Sequence, residues 1–134
     1  HGETEWNRLK KFQGQLNSDL TDIGIEQAKA LGKYLEKENI DFDFVYSSPQ
    51  ERAYNTAKLI KNDFQIITDS RLMEMAFGKW EGMDVELIKE ESAENFHNFF
   101  KSSDKYDHRP HEAQSFESLV FLNINFPIVH FFYI

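Results

Sequence analysis

The sequence predicts an α/β fold with a mostly parallel sheet flanked by helices, and three observations carry that prediction. Two stretches repeat apolar residues at three- and four-residue steps, each is followed by a short β-branched and aromatic run, and turn-forming residues stand between the two kinds of pattern. Helix, strand, helix and strand in that order call for crossover connections, as in a parallel arrangement. At 134 residues, 40% hydrophobic and 15% aromatic, the chain can bury one sizeable core and hardly two, so a single domain is expected.

The first helix is read from Thr21, where Ile25, Ala28, Leu31 and Leu35 form one face and Glu26, Lys29, Lys33, Glu36 and Lys37 fill the other. Thr21 is its N-cap, and Asn17-Ser18-Asp19 is the loop that delivers the chain to it. Residues 42–46 are aromatic and β-branched and stop at Ser47-Ser48-Pro49, which predicts a strand entering a turn. Ser48 at N-cap, Pro49 at N1 and Glu51 at N3 predict a capping box for a second helix through Ala53, Ala57 and Ile60. Residues 64–67 read as the next strand. From Met83 to about Lys101 the pattern is helical in two pieces, residues 102–107 form a polar loop, and a further helix starts near Ser115. The apolar residues 121–126 lack the polar face of a surface helix. Residues 126–134 are too short for a bilayer, which needs ~20 residues, and are expected to form a buried strand.

Composition narrows the function. A net charge of -8, with acidic residues spread along the chain, is unsuited to neutralising nucleic-acid phosphates, so no nucleic-acid partner is expected. A phosphorylated ligand would have to be caught by a local basic pocket. The absence of cysteine removes disulfides, thiolate catalysis and Cys-ligated metal sites. The polar opening His1-Gly2-Glu3-Thr4-Glu5 predicts no secretory signal; a cytoplasmic location without a membrane partner is expected.

Two features stand out chemically, the segment from His1 to Asn7 and Arg52 just inside the second helix. An Arg in a first helical turn opposes the helix dipole. Phosphate groups favour helix N-termini, and an Arg placed there adds a bidentate grip on the same anion. Plainer readings stand beside these. Arg52 can be a solvated partner of a carboxylate, Glu74 a loop carboxylate, and Phe77 and Trp80 core packing. Asp104, His108 and His111 show no metal-ligand spacing and read as an exposed loop.

His1-Gly2-Glu3-Thr4, Asn7, Gln13-Gly14, Leu20-Thr21 with Gly24, Ser47-Ser48-Pro49 with Arg52-Ala53 and Thr56-Ala57, and Leu72-Met73-Glu74 with residues 77–82 form one ordered series. In this series the chain resembles the histidine phosphatase (phosphoglycerate mutase-like) superfamily, over roughly residues 1–120. The resemblance implies a three-layer α/β sandwich. It also implies that His1 accepts the phosphoryl group, that Arg52 binds phosphate with Asn7, Gln13 and Gly14 in the same pocket, and that Glu74 is the proton donor. His130 is the candidate for a second active-site histidine. Residues 74–82 look like the phosphatase branch, so the expected activity is hydrolysis of small phosphomonoesters through phosphohistidine, without metal or cofactor. A phosphoglycerate mutase and an inactive phosphate-binding or interaction module are the alternatives.

Elementary chemistry is consistent with those roles. A neutral imidazole is a nucleophile near pH 7, planar Arg forks match equatorial phosphoryl oxygens, and a carboxyl raised in pKa by burial can protonate a leaving alkoxide. The family also sets expectations that the sequence does not meet. It usually places an apolar strand ending in Arg before the catalytic histidine, and a Gly-Glu-Ser triplet where this chain reads Ala113-Gln114-Ser115. It usually follows the second histidine with Gly, whereas His130 precedes Phe131 and lies only 15 residues beyond Ser115. A domain incomplete at both ends is therefore expected.

Overall fold

A computed structural model describes residues 1–124, with side chains through residue 120. His130 and the strand expected over residues 126–134 lie outside the described residues. The first element is a single helical turn, α1 (Glu5–Arg8), which the apolar periodicity did not reveal. Its cause is a capping box: Thr4 Oγ1 accepts from the Asn7 amide at 3.2 Å, and Asn7 Oδ1 accepts from the Thr4 amide at 3.0 Å. Helix α2 (Asp22–Lys37) starts where expected, with Thr21 Oγ1 accepting from the Gly24 amide at 3.0 Å. It buries Gly24, Ala28 and Gly32, a stripe of small residues at four-residue steps. A Cβ on Gly24 would lie 2.0 Å from the Glu3 carbonyl oxygen, and one on Gly32 would lie 2.6 Å from the Ile60 carbonyl oxygen. The glycines let α2 approach the His1 segment at one end and the following helix at the other.

Strands β1 (Val45–Ser47) and β2 (Ile66–Thr68) pair in parallel, with Val45, Tyr46 and Ser47 opposite Ile66, Ile67 and Thr68. Helix α3 (Glu51–Ile60) connects them and packs against α2 and both strands, which realises the expected α/β order. Both strands begin later than the apolar pattern suggested. Phe44 is exposed and Phe64 sits in a turn, so these aromatic residues precede the ladder. The capping box expected at Ser48 is not found. Helix α3 begins at Glu51, Gln50 is the N-cap without a side-chain bond, and Ser48 Oγ closes a local turn by accepting from the Gln50 amide at 3.2 Å. The Arg52 amide is instead satisfied by Asn17 Oδ1 at 3.1 Å, from a loop 35 residues earlier.

Downstream, α4 (Val85–Glu91) and α5 (Ala93–Lys101) form the expected two-piece helical segment, and α6 (Phe116–Ile124) starts one residue after Ser115. The apolar run after Val120 is thus helical at least to Ile124, despite its missing polar face. Met75, Phe77, Trp80 and Ile88 make a buried cluster, and Phe12, Phe96, Phe99, Tyr106 and Phe116 pack on it. Phe77 and Trp80 are therefore core, as the plainer reading had it. The cluster fixes the loop that leads from Glu74 to Glu81, because Phe12 meets Phe77 edge-on at 4.8 Å.

His111 departs from the exposed loop expected of it. It is buried, its ring stacks on Trp80 at 3.8 Å, and Nε2 lies 2.7 Å from the Tyr106 hydroxyl. Burial first, then His108, pushes the His111 pKa below its usual value of 6.5, with Asp107 opposing. Burial, then Asp107, pushes the Tyr106 phenol up to about 12, so the phenol stays a donor and suits a neutral His111. Because the folded pKa is the lower one, unfolded chains take up the proton more readily. The stabilisation is complete above the usual value of 6.5 and is lost as pH falls through the lowered pKa. Melting temperature should accordingly fall more steeply between about pH 7 and about pH 5 in the parent than in His111→Gln, by scanning calorimetry. Equal slopes would mean that His111 does not contribute.

Candidate functional site

The site forms where the segment after His1 crosses the N-terminus of α3. The segment is anchored on both sides: the Thr21 amide donates to the Glu3 carbonyl at 2.9 Å, and the Gly2 amide donates to Thr56 Oγ1 at 3.1 Å. Thr56 Oγ1 in turn donates to the Arg52 carbonyl at 2.6 Å, which ties the two candidate residues to one hydroxyl. His1 is exposed, and its Nδ1 lies 2.8 Å from the Gly2 carbonyl oxygen. A carbonyl can only accept, so Nδ1 must carry the proton. Nε2 then presents its lone pair, and the Arg52 Nε–H donates towards it at 3.3 Å.

Arg52 is buried, and its guanidinium is held from three directions. Besides the contact to His1, Nη1 donates to the Leu16 carbonyl and Nη2 to the Gly14 carbonyl, each at 2.6 Å. Three of the five guanidinium N–H groups are used in this way, and two remain to meet an anion. Burial pushes the Arg52 pKa below its usual value, while the charges of Glu74 and Glu81 oppose that shift. The cation is thus partly desolvated, and its attraction for an anion is correspondingly less screened.

Gly14 has a left-handed backbone, with φ of 57°, and a Cβ there would lie 2.3 Å from Glu81 Oε1. The Glu81 carboxylate needs that space. It accepts from the amides of Gln15 at 3.0 Å, Leu16 at 3.2 Å and Phe77 at 2.8 Å, and so clamps the loop that holds Arg52 to the loop that carries Glu74. Glu74 itself is exposed, without the burial that favours a proton donor, and its Oε1 accepts from the Met75 amide at 2.7 Å. The Glu74 amide donates to Gln50 Oε1 at 3.0 Å. Two residues further on, Ala76 is gripped by Gln114, whose Oε1 accepts from the Ala76 amide at 3.2 Å and whose backbone amide donates to the Ala76 carbonyl at 2.8 Å.

His1, Gly14 and Arg52 are therefore brought into direct or single-residue contact, and Glu74 is tied to them through Gln50. Asn7 and Gln13 converge on Thr4, which is fully buried. The Thr4 hydroxyl lies 2.9 Å from Asn7 Oδ1 and 2.8 Å from Gln13 Oε1, and its one proton can serve only one of them at a time. Both side chains thus brace the turn that follows His1.

Residues 1–120 match the histidine phosphatase superfamily (branch 1). The chain belongs to that superfamily. Phosphoserine phosphatase 1 of Hydrogenobacter thermophilus is 36% identical to this histidine phosphatase chain over 115 residues, which is 84% of the chain and 54% of that protein. A 2,3-bisphosphoglycerate-dependent phosphoglycerate mutase of Treponema denticola is 38% identical over 101 residues, 72% of the chain and 39% of that protein. The structure of YhfR from Bacillus stearothermophilus superposes with a TM-score of 0.81 at 31% identity, covering 91% of this chain and 59% of that one. The chain spans about half the length of the curated relatives it matches.

Several residues of this candidate site escaped the sequence reading. Thr56 and Glu81 stand in the motif series, but nothing in their spacing told that one hydroxyl bridges His1's neighbour to Arg52 or that one carboxylate gathers three amides. Gln50 and Asn17 carried no signal, because their partners are 24 to 36 residues away. Among the described residues, no helix is long and apolar enough to cross a membrane.

Proposed function

We propose that this chain forms one domain of a phosphatase that hydrolyses small phosphomonoesters, phosphoserine among them, through a phosphohistidine on His1, in the cytoplasm. One observation carries the reading: the Gly2 carbonyl fixes the His1 proton on Nδ1 and so presents the Nε2 lone pair beside the buried Arg52 guanidinium. In the first step Nε2 bonds to phosphorus, the bond from phosphorus to the ester oxygen breaks, and that oxygen takes a proton from the Glu74 carboxyl. The Arg52 Nε–H at 3.3 Å is a long contact, and once Nε2 spends its lone pair on phosphorus this donor can turn to an equatorial phosphoryl oxygen. In the second step water attacks phosphorus, gives a proton to the Glu74 carboxylate, and the P–N bond breaks. Phosphate leaves and His1 is neutral again. No step calls on a metal ion.

The phosphoglycerate mutase reading is second, supported by the identity to the Treponema denticola mutase. It requires the phosphohistidine to wait for glycerate rather than water. One experiment separates the readings. The chain is mixed with para-nitrophenyl phosphate or phosphoserine in excess chelator, with and without a glycerate acceptor, quenched in alkali, and weighed intact by mass spectrometry. The expected result is chelator-resistant release of inorganic phosphate and a transient species heavier by one phosphoryl group on His1. Phosphate returned to glycerate rather than released would favour the mutase. Binding of phosphate or vanadate without turnover would replace both with a phosphate-binding module.

A further inference from the structure

Gln50 is buried, and its side chain joins the Gly14, Ser48 and Glu74 segments. Nε2 donates to the Gly14 carbonyl at 2.8 Å, and Oε1 accepts from the Glu74 amide at 3.0 Å and from the Ser48 hydroxyl at 3.1 Å. The Gly14 carbonyl is the one that also receives Arg52 Nη2, so both of its lone pairs are committed, one to the arginine and one to Gln50. The amide orientation follows from the partners. Turned over, the NH2 group would face the Glu74 N–H and the oxygen would face the Gly14 carbonyl, donor against donor and acceptor against acceptor. A side chain of this length with a donor on one arm and an acceptor on the other is what the place requires. Leucine offers neither, and an ionised glutamate offers two acceptors.

We propose that Gln50 is a positioning residue that sets the Glu74 loop at a fixed distance from the Arg52 clamp, through the Gly14 carbonyl that both side chains share. This rests on the phosphohistidine reading given above. The geometry gives Gln50 a specific consequence for the reaction. Phosphoryl transfer to His1 needs the clamp, whereas only substrates with a poor leaving group also need a proton from Glu74 at the right moment. Loss of the bridge should therefore injure alkyl phosphates and spare activated aryl phosphates.

The test compares phosphoserine with para-nitrophenyl phosphate in the parent chain, Gln50→Leu and Gln50→Glu, with His1→Ala as the control. In Gln50→Leu, kcat/KM, which covers only the steps through ester cleavage, is expected to fall about 10- to 100-fold for phosphoserine and less than about 3-fold for the aryl ester. A partly unfolded variant lowers both rates by one common factor, so the ratio of the two isolates positioning from folding. A protonated glutamate offers one donor and one acceptor, as the amide does. In Gln50→Glu the ratio should therefore approach the parent value as pH falls. Equal losses on both substrates, or a ratio unmoved in both variants, overturn this proposal and leave the His1 mechanism standing. A parent chain whose turnover survives His1→Ala, or has none, overturns the mechanism and this proposal together.

Discussion

Replacing His1 with Ala is expected to reduce hydrolysis of an aryl phosphate to background, a loss on the order of ten-thousand-fold or more, as for removal of a covalent nucleophile. The reason is that, among the described residues, no other group of the site stands ready to take its place. The described contacts of Arg52 are donors, Glu74 is tied to the Met75 amide, and Thr56 Oγ1 is spent between the Arg52 carbonyl and the Gly2 amide. The substitution should leave the fold nearly intact, because the His1 ring is exposed while the segment behind it is held by Gly2, Glu3 and Thr4. Affinity for inorganic phosphate, measured by calorimetric titration, should change by no more than about 3-fold, since the Arg52 fork remains and regains its Nε–H. Steady-state rates, melting temperature and phosphate affinity on the same preparation check all three points. Residual turnover within about 10-fold of the parent would show that water is attacked directly and that phosphohistidine is not on the path.

How much of this was legible in the sequence follows from the range of the interactions. Helix α2 and its Thr21 cap were readable because a cap and an apolar stripe are written within a few residues of one another. The same local logic misplaced the start of α3. Ser48-Pro49-Gln50-Glu51 is a plausible capping box in isolation, but Asn17 reaches across the loop to satisfy the Arg52 amide, and Ser48 and Gln50 turn to other partners. The strands were displaced for a related reason. Aromatic residues mark where the chain is apolar, while pairing begins only where Val45 meets Ile66. His111 looked like a member of a polar loop because Asp104, Asp107 and His108 precede it closely in sequence, yet a flat neutral ring can be buried when Trp80 lies beneath it and a phenol meets its nitrogen. His1 and Arg52 were found through the motif series. Their contact, and the shared Gly14 carbonyl between Arg52 and Gln50, depend on a crossing of segments that no local pattern encodes.

That crossing also makes Arg52 the residue for which charge alone will not suffice. In Arg52→Lys, kcat/KM for phosphomonoesters is expected to fall about 100- to 1000-fold, the usual consequence of removing one preorganised donor from a developing anion. Lysine keeps the positive charge but brings a single ammonium at the end of a flexible stem, whereas the guanidinium sends donors to His1, Leu16 and Gly14 along three fixed directions. The variant has to choose between its structural partners and the substrate. If the ammonium stays with the Gly14 and Leu16 carbonyls, phosphate loses its clamp. If it turns to phosphate, the Leu16 carbonyl loses its donor and the Gly14 carbonyl keeps only Gln50, at a cost of about 1–3 kcal/mol in stability. Phosphate binding therefore carries a cost in the variant that it does not carry in the parent, and phosphate should shift the melting temperature of Arg52→Lys less than that of the parent. A variant with parental kcat/KM would mean that Arg52 only shapes the Leu16 loop, and the anion would then have to be held by other groups.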